Sequence, residues 1–464
     1  MLRRFTTYEQ AVGFLYGRID FERPQSKALD ASDFKLDRMR QLLDRLGNPH
    51  EKIPALHVAG TKGKGSTAVM IGEILQAAGY RVGLFTSPHL AQFEERMRVG
   101  GAMPSPGEVL DLMNTVADAV AEMEGEFADA PVTFFEVTTA MAWLFYVQKN
   151  VDVVSLEVGL GGRLDSTNLC RPEVCLITNI SRDHVSILGN TVEKIAGEKA
   201  GIIKPGVPVI SGVTTPGPRA VIEAAANANS AELWQRNRDF FSAYDSTGTC
   251  ETSLDLTGFV DVETPARQWK QIPVTLPGAH QGNNAALAVA AVDRLIQRGW
   301  SIPDAAVYAG MQRVHWPARI EILQRQPWVI LDAAHNEASC HALLETLNAR
   351  FPGRRKIVVF AVSKDKDVQG LVQQLVTFAD ELIFTQYLSN PRAMPIAELI
   401  SLAQSLKPGD YRHAPSPQLA WQMAEQACGP HDVICITGSF FLAAEIRDVW
   451  RQRSEHAAAQ LVNV

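Results

Sequence analysis

The stretch Gly60-Thr61-Lys62-Gly63-Lys64-Gly65-Ser66 sets three glycines beside two lysines. Glycines let backbone N–H groups come close to phosphate oxygens, and a helix opening at the end of such a loop adds partial positive charge. An apolar strand over 55–59 leads in, and 67–78 follows with helical periodicity through Val69, Ile71, Ile74, Leu75 and Ala78. Lys64 is then expected to reach the β- and γ-phosphates, with Ser66 or Thr67 near an accompanying metal. The spacing departs from the usual P-loop, because the first glycine is closer in and Gly65 separates Lys64 from Ser66. The alternative is a glycine-rich turn with two solvated lysines; the flanking strand and helix favour phosphate.

Three further polar groups close strands. Glu157 ends an apolar run just before a glycine-rich turn, a poor place for a carboxylate without a partner. Ser87 ends the strand read over 81–86, and His184 follows the one over 174–180. Groups at three strand ends converge on the crevice where α/β sheets bind ligands. His184 reads equally well as a hydrogen-bonded loop imidazole. Lys199 lies in a helix over 192–200, where a solvated lysine paired with an acid is the plain alternative.

The elements that must hold these groups alternate. Gly79 stands where a helix C-cap belongs, and Ser105-Pro106-Gly107-Glu108 carries a cap, a first-turn proline and a capping-box glutamate. Strands are expected over 151–158, 174–180 and 207–212, apolar and β-branched as in a parallel sheet covered on both faces. Residues 240–276 break the rhythm and read as a small antiparallel excursion, followed by helices over 280–298 and 303–313. A second alternation runs through strand 328–333, helix 337–350, strand 356–362, helix 368–379, strand 382–385, strand 433–437 and helix 440–451. The expected fold class is α/β with right-handed crossovers. It comprises an N-terminal P-loop-type ATPase domain with a parallel-rich sheet over 1–315 and a smaller Rossmann-like domain over 316–464, with the active site between them.

Composition narrows the function classes. With 464 residues, 46% hydrophobic and 20% charged, the chain has core material for two or three domains and is not a disordered or disulfide-dependent chain. A net charge of −7 argues against a nucleic-acid binder. No apolar run approaches the roughly 18 residues of a membrane span, and MLRRFTTYEQ is not expected to be a signal peptide. Six scattered cysteines without Cys-x-x-Cys spacing read as reduced thiols in a cytoplasmic protein.

Taken with Leu56-His57-Val58-Ala59, the glycine loop closely resembles the folylpolyglutamate synthase/dihydrofolate synthase family of Mur-ligase-like ATP-dependent amide ligases. The similarity continues in Leu42–Pro49, Gly83–His89, Glu157–Asn168, Thr178-Asn179-Ile180 with Asp183-His184, and Glu198–Lys204. It extends through His280-Gln281, Asn283-Asn284-Ala285, Leu331–Asn336 and Thr437-Gly438-Ser439. The resemblance implies Mg²⁺ contacts from Ser87, Glu157 and His184, although histidine is a less usual ligand than oxygen. It implies ATP binding by 60–66, Asn284, Arg319, Asp332 and His335, the last four serving ATP or the incoming glutamate. It further implies pterin contacts from Thr133, Phe134, Phe135 and Glu136 and from Leu164, Asp165 and Ser166. A phenylalanine can stack on a flat heteroaromatic ring while carboxylates and hydroxyls bond its nitrogens; at least one of Phe134 and Phe135 is expected to be core. Lys199 is implied to be N-carboxylated, which needs a neutral amine and therefore burial or a cationic neighbour. Three departures stand out: Ala318 before Arg319 and Ala334 before His335, where the family usually has glycine, and Lys62 for a frequent asparagine.

The activity so implied is an ATP-dependent acid–amino-acid ligase with Lys64, His184 and Lys199 as catalytic groups. ATP phosphorylates the carboxylate of dihydropteroate or tetrahydrofolate, and the amine of L-glutamate displaces phosphate. The remaining alternatives are another Mur-like ligase with a non-folate acceptor and a nucleotide switch without ligase activity. Expected partners are ATP, glutamate and the pterin substrate, acting on a monomer, with no nucleic acid and no membrane.

Overall fold

A computed structural model of the chain describes residues 5–19, 36–123, 131–246 and 256–462, the last eight by backbone alone. Cys250 lies outside these. The chain divides into two units. The first comprises Met1–Tyr244, Val260–Val274 and Gln281–Val314, and the second Asp245–Phe259, Thr275–His280 and His315–Val464.

The first unit is built on β1 (Pro54–Ala59), β2 (Val82–Phe85), β3 (Met97–Val99), β4 (Val153–Glu157), β5 (Arg171–Ile177), β6 (Val209–Ser211) and β7 (Leu233–Gln235). They form one sheet in the order β3-β2-β4-β1-β5-β6-β7. Every pairing is parallel except the edge pair β2–β3. Every residue of β4 is buried, and apart from Ser155 and Glu157 they are apolar, as a parallel strand covered on both faces requires. The chain leaves β1 toward β2 and leaves β5 toward β6, on opposite sides. The carboxyl ends of β1 and β5 therefore flank the crevice of this sheet.

The excursion after Phe240 contains β8 (Phe241–Asp245), β9 (Gly258–Glu263) and β10 (Gln268–Val274), a three-stranded sheet of its own. The second unit carries β11 (Glu321–Arg325), β12 (Trp328–Leu331), β13 (Lys356–Phe360), β14 (Glu381–Phe384), β15 (Arg412–His413) and β16 (Val433–Thr437). Their order is β11-β12-β16-β13-β14-β15, parallel apart from the edge pair β11–β12. Its core includes Ile330, Leu343, Val358, Leu371 and Phe384.

Both units are α/β, as the alternation implies. Helix Glu337–Arg350 and strand β16 have the expected bounds. The capping box is made: Ser105 N and Oγ donate to Glu108 Oε2 at 2.7 and 2.8 Å, opening helix Pro106–Met123. Elsewhere the ends move for local reasons. The helix after the glycine loop starts at Lys64 rather than residue 67, since its first turn carries no apolar periodicity. β5 stops at Ile177 because Thr178 and Asn179 spend their polar groups on the glycine loop. The edge strands β3 and β11 and the helices Ile396–Leu406 and Pro417–Ala427 escaped the sequence pattern; the two strands are short and half-exposed, so their alternation is weak. No helix among the described residues is long and apolar enough to cross a membrane. The described cysteines are free thiols.

Candidate active site

Gly60 and Gly63 both have positive φ, +150° and +81°, and Gly63 is the N-cap of helix Lys64–Ala77 without any side-chain cap bond. What crowds them is protein. A Cβ on Gly60 would lie 1.8 Å from Thr178 Oγ1, and one on Gly63 2.3 Å from Asn284 Oδ1. The segment after β5 clamps the loop. Asn179 O accepts from Thr61 N at 2.9 Å, Asn179 Oδ1 accepts from Lys62 N at 3.0 Å, and Lys62 O accepts from Thr178 Oγ1 at 2.6 Å. Lys62 Nζ reaches Asp183 Oδ2 at 2.7 Å, so the lysine in this place is an anchor to that same segment. The left-handed His184 follows directly, with its side chain half-exposed.

The other polar strand ends meet here. Glu157, buried at the end of β4, accepts from Ser87 N at 3.0 Å, and Lys64 Nζ lies 4.0 Å from its other oxygen. Ser87 follows β2, which pairs with β4, so the sheet itself sets the two side by side. Ser66 and Thr67 are buried in the first helical turn, and the Thr67 hydroxyl finds no hydrogen-bond partner. Asn284 donates to Gln281 Oε1 at 2.9 Å and lies against Gly63. Lys199, in helix Val192–Ala200, donates from Nζ to Gly60 O at 2.9 Å. Its burial, reinforced by Lys64 and Lys62, lowers its pKa to about 7. A fraction of the amine is therefore neutral near neutrality.

A buried carboxylate and a hydroxyl beside it are hard oxygen donors, suited to Mg²⁺ completed by water and phosphate. Among the described residues no three His, Cys, Asp or Glu side chains gather as an all-protein metal centre.

The stretch 133–136 is largely committed to the protein. Thr133 and Glu136 form a capping box, and Glu136 also takes Arg38 Nε on both oxygens at 2.9 Å, all buried. Phe134 is fully buried and stacks on Tyr16, with ring centroids 5.7 Å apart. It is the core member expected of the pair, while Phe135 is half-buried and edge-on to Phe85. Asp165 is likewise satisfied, by Leu160 N at 2.8 Å and by Thr167 N and Oγ1 at 3.0 and 2.5 Å. Burial raises its pKa. Ser166 is buried near Thr139, whereas Leu164 is half-buried. Phe135 and Leu164 are the members of these two stretches whose side chains keep exposed surface.

In the second unit Asp332 follows β12 and is buried. Its Oδ2 accepts from Ile320 N at 2.8 Å and its Oδ1 from Ala334 N at 2.7 Å. Burial raises its pKa, opposed by Arg319. Asp332 thus holds the two turns that carry Arg319 and His335. Ala318 has φ +54°, the conformation a glycine would adopt freely. His335 Nδ1 lies 2.8 Å from Ala333 O. Sequence reasoning placed Thr178, Asn179 and Asp183 in the motif series but gave them no role; their clamp on the loop was foreshadowed by a polar pair placed directly after an apolar strand.

Comparison with known proteins shows the family. Residues 58–292 match the Mur ligase middle domain and 318–440 the Mur ligase glutamate ligase domain. The chain is 38% identical over 446 residues to a Bacillus subtilis dihydrofolate synthase/folylpolyglutamate synthase, covering 96% of this chain and 99% of that one. It superposes on Mycobacterium tuberculosis folylpolyglutamate synthase complexed with ADP and AMPPCP with a TM-score of 0.85 at 31% identity, covering 96% and 98% of the two chains. On Escherichia coli FolC in complex with DHPP and ADP the TM-score is 0.81 at 29% identity, over 98% and 100%.

Proposed function

The chain belongs to the dihydrofolate synthase/folylpolyglutamate synthase family of Mur ligases and is an ATP-dependent ligase, and from that premise we propose how its residues divide the reaction. The substrate carboxylate of a pteroate or folate attacks the γ-phosphorus of ATP, ADP leaves, and an acyl phosphate forms. The free amine of L-glutamate then attacks the acyl carbon, phosphate leaves and a proton is lost, giving the amide.

The observation that carries this reading is the gathering of Lys64, Ser87 and Glu157 around an uncapped helix N-terminus. The loop 60–66 cradles the phosphates, and Lys64 stabilises the charge that moves with the γ-phosphoryl group. Asn284 supports the loop at Gly63. Ser87 and Glu157, with His184 as the third group, would hold Mg²⁺. When bound, that ion offsets charge between phosphate oxygens. In its neutral form the Lys199 amine takes up CO₂ and loses a proton, becoming a carbamate anion beside the loop. Phe135 and Leu164 offer the apolar wall for the pterin. Arg319, Asp332 and His335 serve ATP or glutamate, with Asp332 acting through the two turns it holds.

Initial rates of ADP release and amide formation test the proposal, with dihydropteroate and tetrahydrofolate offered separately, each with and without glutamate. ADP release that needs both an acceptor and glutamate is expected. Release without either would indicate a nucleotide switch. No turnover with either pterin, glutamate being present, would indicate a different Mur-like specificity.

A further inference from the structure

Arg319 stands in a turn that its own neighbours do not favour. Ala318 and Ile320, on either side, hold φ of +54° and +51°. A β-branched residue in the left-handed region persists only where its surroundings over-determine it. Here they do. Asp332 takes Ile320 N, and Ala318 O accepts from Ala333 N at 3.0 Å. Glu321 Oε2 accepts from Ala318 N at 2.9 Å and pairs with Arg447 Nε at 3.2 Å.

Arg447 lies on the helix Phe440–Val462, seven residues after Phe440. Seven residues are about two turns, so the two side chains share one helix face. The half-buried Phe440 ring has the Arg319 guanidinium over it, 5.0 Å from the centroid. The His335 ring lies 5.5 Å from the same centroid, tilted by 48°. One helix face thus touches both groups read as ligand contacts, one of them also through the Glu321 pair. A guanidinium over an aromatic face is attracted by the ring quadrupole and is thereby oriented as well as packed.

We propose that Phe440 and Arg447 are positioning residues for ligation. Phe440 aims the Arg319 guanidinium and steadies the His335 imidazole, while Arg447 holds the Arg319 turn through Glu321. The inference rests on the reading of Arg319 and His335 as groups that contact ATP or glutamate.

The test uses the full-length enzyme and the variants Phe440→Leu, Phe440→Tyr, Arg447→Met and Arg319→Ala. The double variants Arg319→Ala/Phe440→Leu and Arg319→Ala/Arg447→Met complete the set. For each, kcat, the KM of all three substrates and the thermal midpoint are measured. Phe440→Leu is expected to raise the KM of ATP or glutamate, or lower kcat, by about tenfold, the scale of a partly desolvated cation–π contact. Phe440→Tyr keeps the ring and should stay within about twofold of the parent. In the Arg319→Ala background Arg447→Met should add no further loss, and Phe440→Leu only the smaller part it exerts through His335, because the Arg319 guanidinium is gone. A role confined to packing would move the thermal midpoint and add its loss in either background. The inference is overturned if Phe440→Leu and Arg447→Met keep parental constants while Arg319→Ala is impaired. It is equally overturned if their losses add in full to that of Arg319→Ala. Parental constants in Arg319→Ala itself would instead sink the role assigned to Arg319, a failure recognisable from that single variant. Arg447 is about one-third exposed and its partner Glu321 still accepts from Ala318 N, so Arg447→Met decides the matter if Phe440→Leu does not fold.

Discussion

At the glycine loop 60–66 the left-handed positions belong to glycine, with Gly63 at φ +81°, whereas beside Arg319 they belong to Ala318 at +54° and Ile320 at +51°. Both turns follow or adjoin a strand end and both carry a charged side chain read as a ligand contact. Their means differ. In the first, the missing side chain makes room for Thr178 and Asn284, and the segment after β5 fastens the loop by backbone and side-chain bonds. In the second, the backbone is held against its preference by the buried acceptor Asp332 and by Glu321. Space shapes one turn and hydrogen bonds shape the other. Substitutions should therefore act on the first through crowding and on the second through lost acceptors.

The largest effect is expected at the charge the first turn presents. Lys64→Ala should lower amide formation by at least about 10²-fold, the scale for one preorganised electrostatic donor. Near-parental turnover in a folded variant would detach the loop from the chemistry. Asp332→Ala comes next, because it leaves the buried N–H groups of Ile320 and Ala334 without their acceptor. Each orphaned group costs about 1–3 kcal/mol, so urea unfolding should show a loss of that order and ADP release should fall as the Arg319 turn relaxes. An unchanged unfolding midpoint would mean that Asp332 does not hold the turn.

Lys199, whose Nζ bonds Gly60 O, adds a pH signature to the first turn. Its folded pKa is about 7 against 10.5 for a free lysine. Between those values the unfolded chain binds more protons than the folded one, so stability rises with pH through that window. In CO₂-free buffer the parent should gain on Lys199→Met as pH rises from 7 toward 10.5, read as the difference in denaturation midpoints. A constant difference would show that burial does not disfavour the ammonium form.

The smallest effects come from exchanging the two solutions. Gly63→Ala meets both the left-handed penalty of about 1–2 kcal/mol and the Asn284 side chain, so the KM for ATP should rise about tenfold. Ala318→Gly relieves a similar penalty but gains unfolded-state freedom of about 0.4–1 kcal/mol, so its stability change should stay below about 1 kcal/mol with activity kept. If Gly63→Ala were harmless and Ala318→Gly damaging, the contrast between the two turns would collapse.

The alternation of buried β-branched strands with amphipathic helices was legible because both faces of β1, β4, β13 and β16 are covered, which favours predominantly apolar segments. The loop 60–66 was legible because glycine and lysine are informative residue types and a strand and a helix bracket them. Local chemistry of this kind also made the Ser105–Glu108 cap readable, since it lies within one helical turn. What only the tertiary structure decided lies across long stretches of chain. Glu136 is drawn to Arg38 and Lys62 to Asp183, while Lys199 is buried against the carbonyl of Gly60. These partners are about a hundred residues apart in the chain, and no local pattern encodes which of two exposed-looking charges will be buried together. The same holds for Phe440 and Arg319. The residue types determined which chemistry was available, and the packing of distant strand ends decided which groups share a site, because hydrogen bonds and desolvation act over ångströms in space rather than along the chain.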